Sequence, residues 1–194
     1  MILIQHRINT AAALRETPPE YGIELDLRTK GKDLIIHHDP FVEGENFEEW
    51  VKEYRHRMLI LNVKEEGLEG RLLSIMEERG IEDFFFLDQS FPFLIKTSRE
   101  GEKRCAVRVS EYESMDTAKT LEGKVRWVWL DCFTKFPLSK EEFVDLNNRF
   151  DICIVSPELQ GRFDEDEIIA YKNLFAEAGT SPAAVCTKFP QKWA

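Results

Sequence analysis

The chain has 194 residues, 43% hydrophobic and 32% charged, with 26 Lys plus Arg against 36 Asp plus Glu and a net charge of −10. That length suits one domain with a sizeable core, and that charge disfavours non-specific binding to nucleic acid or to an anionic membrane while leaving room for a local cationic pocket. No apolar run approaches the ~18 residues of a membrane span, and the N-terminus lacks the basic and apolar segments of a signal peptide, so a cytoplasmic location is expected.

The first apolar run, 2–6, ends at His6-Arg7, and a helical segment follows at 9–16. In the next strand candidate, 21–27, alternation puts Ile23 and Leu25 on one face and Glu24 and Asp26 on the other. A turn at Gly31 leads to the apolar run 33–38, which ends in His37-His38-Asp39. Further strands are expected at 57–63, 83–88, 105–110, 125–132, 151–156 and 183–188, with helices at 46–55, 68–79, 91–100, 115–122, 139–149 and 164–178. Ser139 and Glu142 form a capping-box pattern, and Asp164 to Glu167 place acids in a first helical turn that runs on to a stop at Gly179. The four cysteines, Cys105, Cys132, Cys153 and Cys186, fall in separate apolar runs without C-x-x-C spacing and are expected to be free, buried thiols. The run Phe84-Phe85-Phe86 is expected to be strand core.

If 21–27 and 33–38 count as one strand and its extension, eight β/α steps result. They imply a single α/β domain over residues 1–194, with a parallel sheet and helices outside it. Eight such units close a (β/α)8 TIM barrel; an open doubly wound sheet has the same element order. The chain is short for a barrel, typically ~250 residues. Loops must be lean, and no last helix is expected, since only Gln191-Lys-Trp-Ala follows the final strand region.

Two carboxylates on one strand face, Glu24 and Asp26, suit a hard divalent cation. Three of the four histidines lie at strand ends, where a proton-transfer group would be placed. His37 is read as the outward-facing neighbour of His38, and His56, between Arg55 and Arg57, as solvated. Alternation in 105–109 and 127–131 turns Arg108, Trp129 and Asp131 toward the inside of the sheet. Arg108, Asp131, Glu158, Arg162 and Lys188 are candidates to line a binding mouth and choose the leaving group, or else to form structural ion pairs. For Arg108 and Asp131 we expect contact with solvent and substrate at the mouth rather than with each other, because burying either one unpaired costs several kcal/mol.

Taken in order, His6-Arg7, Asn9-Thr10, Glu24-x-Asp26, His38-Asp39, Lys64, Ser90-Phe91 and Thr187-x-x-Pro190 resemble the signature of the glycerophosphodiester phosphodiesterase family. That family belongs to a superfamily with the phosphatidylinositol-specific phospholipases C. The resemblance spans the chain. It implies a compact TIM barrel with the family insertion after His-Asp nearly absent. It also implies a metal-dependent phosphodiester hydrolase acting on a small, glycerophosphodiester-like molecule. His6 and His38 would be the acid and base, Glu24, Asp26 and Asn62 the ligands of Mg²⁺ or Ca²⁺, and Arg7 and Lys64 the phosphate binders. Three departures stand out: Ile8 occupies the place of a Gly, Asn62 that of a Glu metal ligand, and Lys188 that of an Asp. They keep two alternatives open: a weak or inactive barrel that binds a phosphorylated small molecule, and an enzyme that closes a cyclic phosphate.

Overall fold

The computed structural model describes residues 1–194, apart from the side chain of Glu165. Ten strands form: β1 (Ile2–Gln5), β2 (Gly22–Lys30), β3 (Asp33–Ile36), β4 (Glu45–Asn46), β5 (Leu59–Val63), β6 (Phe84–Leu87), β7 (Ala106–Val109), β8 (Trp127–Leu130), β9 (Asp151–Val155) and β10 (Ala184–Thr187). Between them lie helices α1 (Ala11–Glu16), α2 (Phe47–Trp50), α3 (Glu69–Arg79), α4 (Phe91–Arg99), α5 (Met115–Lys119), α6 (Lys140–Asn147) and α7 (Glu165–Ala178), with α8 (Pro190–Trp193) after the last strand. Short 3₁₀ turns cover Val51–Glu53 and Pro157–Gln160.

Eight strands make a curled parallel sheet. β6, β5, β2, β1, β10, β9, β8 and β7 follow one another through parallel pairings. The two ends of this order, β6 and β7, meet at one parallel bridge, Phe86 to Cys105, with the Phe86 N–H 2.8 Å from the Arg104 carbonyl. β3 is not a barrel-type strand. It returns antiparallel on the far half of β2, pairing Leu27 with Ile36 and Lys30 with Asp33 around Gly31 at φ +61°. The two-residue β4 pairs with β3 in turn, an element the sequence pattern does not show.

Strand alternation divides the core into two layers. Ile4, Ile60, Phe85, Trp127, Trp129, Cys153 and Cys186 fill the concave face, where the Phe85 and Trp127 rings stack at 4.5 Å. Ile23, Leu25, Leu61, Phe86, Val128, Ile154 and Val185 pack outward against the helices. Gly22 has a steric role on the crowded concave face: a Cβ there would lie 2.8 Å from Ile4 Cγ1 and 3.1 Å from Met58 Cβ. All four cysteines are free and buried, as the composition implies.

The helices follow their sequence signals. Ser139 and Glu142 complete the capping box of α6, and Asp164 and Gly179 cap α7. The expected helix 46–55 breaks into α2 and a 3₁₀ turn. The missing last helix is a second correction: α8 is present as one turn, opened by Pro190 and docked through the buried Trp193. Among the described residues no helix is long and apolar enough to cross a membrane.

Candidate active site

The C-terminal ends of the parallel strands share one edge of the sheet, and there the polar residues gather. Glu24 and Asp26 lie on the concave face of β2 with 1% and 0% of their surface exposed. Asn62 stands beside Asp26 in register on β5, and its amide nitrogen donates to Glu24 Oε1 at 2.9 Å. His6 follows β1, with Nε2 3.7 Å from Glu24 Oε2. The next residue, Arg7, takes a left-handed conformation at φ +56°, which aims its backbone N–H at Glu24 Oε2, 2.8 Å away. The chain then returns to ordinary backbone. Ile8 packs in the outer core, and its N–H donates to the Glu24 carbonyl at 2.8 Å. A β-carbon is thus accommodated at position 8, because the left-handed residue is Arg7.

Asn9 clasps Asp26 on both sides. Its amide nitrogen donates to Asp26 Oδ2 at 2.9 Å, and its side-chain oxygen accepts the Asp26 backbone N–H at 3.0 Å. Thr10 caps α1. Lys64 Nζ lies 3.3 Å from Asp26 Oδ1 and 3.1 Å from Asp88 Oδ2. Asp88, just past β6 and left-handed at φ +60°, also pairs with Arg108, whose other arm donates to Asp131 Oδ2 at 2.5 Å. Asp131 in turn accepts from Gln160 at 2.6 Å. A row of alternating charge therefore crosses the edge: Asp26, Lys64, Asp88, Arg108, Asp131. Arg108 and Asp131 point inward as alternation requires. They pair with each other, however, contrary to the expectation that they would meet only solvent and substrate. The desolvation cost of an unpaired charge explains the outcome.

The remaining candidates are dispersed. His38 lies beyond β3 with its side chain 41% exposed and its Nδ1 2.7 Å from Asp39 Oδ1. The His37 N–H donates to the Asp26 carbonyl at 3.0 Å, and Arg28 Nε holds the His38 carbonyl at 3.0 Å, so this loop is tied to the site strand. The hydrogen bond from His38 lowers the Asp39 carboxyl pKa. Lys188 is exposed, and its charge reaches His6. Glu158 is buried beneath it: Oε1 accepts from the Thr187 hydroxyl at 2.5 Å and the Lys188 N–H at 2.9 Å, and Oε2 accepts from Ser156. Arg162 donates to the Cys132 carbonyl at 2.6 Å and to the Tyr171 hydroxyl at 3.2 Å and pairs with Glu167. His56 is held by its Nε2, 2.9 Å from the Thr17 carbonyl, and packs on Tyr54; the reading of a solvated ring is corrected. Sequence reasoning gave no role to Asn9, Asp88 or Gln160. Asn9 and Asp88 had usable signals, the Asn9-Thr10 match and a place at a strand end.

Electrostatics distinguish the two central groups. Burial, then the adjacent Asp26 charge, push Glu24 up to about 7, against the opposing pull of the Asn62 amide, the Arg7 N–H and Lys64. Burial, then Arg7, bring His6 down to about 4, so its ring is neutral at neutral pH. Three buried atoms here lack a hydrogen-bond partner: His6 Nδ1, Asp26 Oδ1 and Asn62 Oδ1. Asp26 Oδ1 does have the Lys64 ammonium nearby as an ion pair.

Fold and site together define an α/β protein with a cation-flanked acidic site at the C-terminal edge of a curled parallel sheet. No family model and no curated protein matches the sequence. Solved structures do match. The chain is similar to a glycerophosphodiester phosphodiesterase from Agrobacterium tumefaciens, at TM-score 0.70 and 12% identity, covering 99% of this chain and 97% of that one. A phosphodiesterase from Oleispira antarctica, in complex with the product sn-glycerol-3-phosphate, matches at TM-score 0.73 and 15% identity, over 100% and 95% of the two chains. A glycerophosphoryl diester phosphodiesterase from Parabacteroides distasonis matches at TM-score 0.68 and 13% identity, over 100% and 84%. The chain shares the fold of these enzymes.

Proposed function

We propose that the chain is a compact, closed (β/α)8 barrel that hydrolyses a small phosphodiester of the glycerophosphodiester kind. One observation carries this reading. His6, Arg7, Glu24, Asp26 and Lys64 converge at the sheet edge, on a fold shared with enzymes of that activity. A phosphodiester is an anion, and its attack builds further negative charge that must be neutralised. Arg7 and Lys64 supply positive charge at the floor of the site, and Lys188 adds to it beside His6. Arg108 and Asp131 extend the site toward the leaving group.

The neutral His6 ring accepts a proton from the attacking water. His38, oriented through Nδ1 by Asp39, gives a proton to the departing alkoxide. Glu158 acts at one remove, fixing the backbone that carries Lys188. Among the described residues no group of three or more His, Cys, Asp or Glu is arranged to hold a metal ion. The oxygen donors nevertheless fit a hard cation. Asp26 Oδ1 and Asn62 Oδ1 are buried without a hydrogen bond, and Glu24 sits next to a like charge that a dication would offset. Glu24, Asp26 and Asn62 would hold Mg²⁺ or Ca²⁺, completed by water or substrate oxygens as Mg²⁺ sites with one or two carboxylates are. A metal bound there supplies Lewis-acid charge to a phosphoryl oxygen.

Hydrolysis of bis-p-nitrophenyl phosphate and of glycerophosphodiesters, with Mg²⁺ or Ca²⁺ and with chelator, tests this reading. His6→Ala and His38→Ala should each lower kcat by ~10²–10⁴. The double variant should cost little more, because the pair acts as a unit. Activity unchanged by His38→Ala would remove that residue from the mechanism. A second reading has an observation of its own: Asn62 and Lys64 already satisfy part of the carboxylate pair. Tight binding of glycerol phosphate without turnover would select that reading, a binding protein for phosphorylated molecules.

A further inference from the structure

The sheet is not paired evenly around its curl. β2 and β5 are registered over five residue pairs, whereas β6 and β7 meet only at Phe86 and Cys105. Above that bridge the two strands part, and a cleft of ≈ 680 Å³ opens between them. Its walls are Leu87 and Ala106 from the concave layer and Leu94 and Val107 from the outer layer. Phe91 and Tyr112 also line it, and they are 50% and 78% exposed. Such a volume is that of a small-molecule site. Asp88 and Arg108 also line the cleft. Asp88 is also the partner of Lys64, which contacts Asp26. The apolar cleft and the candidate phosphate site are therefore the two sides of a single carboxylate. Gln89 adds one polar feature: its amide nitrogen is used by Glu69 at 2.9 Å and Thr97 at 3.0 Å, and its Oε1 is buried with no donor.

We propose that this cleft holds an apolar chain on one alcohol of the substrate, so that the protein acts on single-chain amphiphilic phosphodiesters. The claim names the substrate class for the activity proposed above and rests on that reading. The anionic phosphate lies with Arg7 and Lys64, and the chain passes Arg108 into the space between β6 and β7. A wholly polar diester would leave the cleft to water and gain nothing from Leu87, Leu94 and Ala106.

A homologous series of alkyl 4-nitrophenyl phosphodiesters, methyl to dodecyl, assayed below the micellar range, reads this directly. In the unaltered protein kcat/KM should rise about fourfold for each of the first few methylenes buried. Thr117 lies on the exposed face of α5 at the cleft, and Thr117→Trp should crowd the space and lower the dodecyl-to-methyl ratio severalfold. A flat series in an active protein overturns the proposal and leaves the hydrolase reading intact. So does a chain-length ratio that Thr117→Trp does not alter. If no diester is turned over, the hydrolase reading falls, and calorimetry with butyl and dodecyl phosphate judges the cleft by itself. Tighter dodecyl binding that Thr117→Trp abolishes supports the cleft, and equal affinities reject it.

Discussion

Glu24 bears the sharpest conflict in the molecule: a fully buried carboxylate next to Asp26 on the same strand face. Alternation made that pair legible from sequence, because period two leaves no choice of face once Ile23 and Leu25 are core. Burial and the Asp26 charge raise its folded pKa from the ordinary 4.5 to about 7. A raised carboxyl means that the folded state holds a proton the unfolded state has released. Stability is then full below about pH 4.5 and declines until pH passes about 7. In chelator, Glu24→Gln should be near neutral at pH 4 and stabilising by about 1–3 kcal/mol at pH 8. Urea unfolding at the two pH values gives the comparison; an equal effect at both would mean that the Glu24 carboxyl titrates alike in the folded and unfolded states. Sequence reading was blind to the other side of this balance. The Asn9-Thr10 match marked Asn9 but not its clasp on Asp26, which depends on loop geometry, and the left-handed turn at Asp88 has no signature in a non-glycine residue.

Among the elements, the regular ones were legible and the short ones were not. Helices α3, α4, α6 and α7 have an apolar stripe to announce them, and α6 and α7 side-chain caps as well, while strand runs with bulky apolar residues locate the eight parallel strands. A four-residue helix covers barely one period, so α8 has no pattern to detect, and the two-residue β4 exists only because β3 offers it an edge. Yet α8 is firmly seated. Trp193 is 3% exposed, its indole N–H donates to Ser156 Oγ at 2.8 Å, and Ser156 is bonded to Glu158, which fixes the end of β10. Trp193→Ala should therefore cost about 3–5 kcal/mol, as for other buried aromatics. Phe163→Ala, at a side chain 67% exposed, should stay within about 0.5 kcal/mol. Chemical denaturation of both variants checks the contrast; a Trp193 cost below that of Phe163 would show the last turn to be peripheral.

At the scale of the whole molecule, counting eight β/α steps yields the architecture but not where its sheet is weakest. Weakness depends on the backbone pairs each neighbour supplies, which apolar runs of similar length do not reveal. Leucine, valine and phenylalanine runs mark β5, β6 and β7 alike, but the register leaves β6 and β7 with a single bridge. Side chains make up part of the deficit. Asp88 past β6 pairs with Arg108 on β7, so the row of charge that shapes the site also ties the seam. Both side chains are partly exposed, at 25% and 29%, which screens the tie and keeps it weaker than a backbone ladder. Local opening should follow this division, since strands with few mutual hydrogen bonds separate before those with many. The Phe86 N–H, which crosses the seam to the Arg104 carbonyl, should show protection about tenfold or more below that of the Ile23 N–H, which crosses from β2 to the Met58 carbonyl. Both residues are buried, so solvent access does not decide the comparison. Native-state hydrogen exchange resolves the two amides. Equal protection would mean that the sheet opens only as a unit, and the seam would then be as strong as the rest of the sheet despite its single bridge.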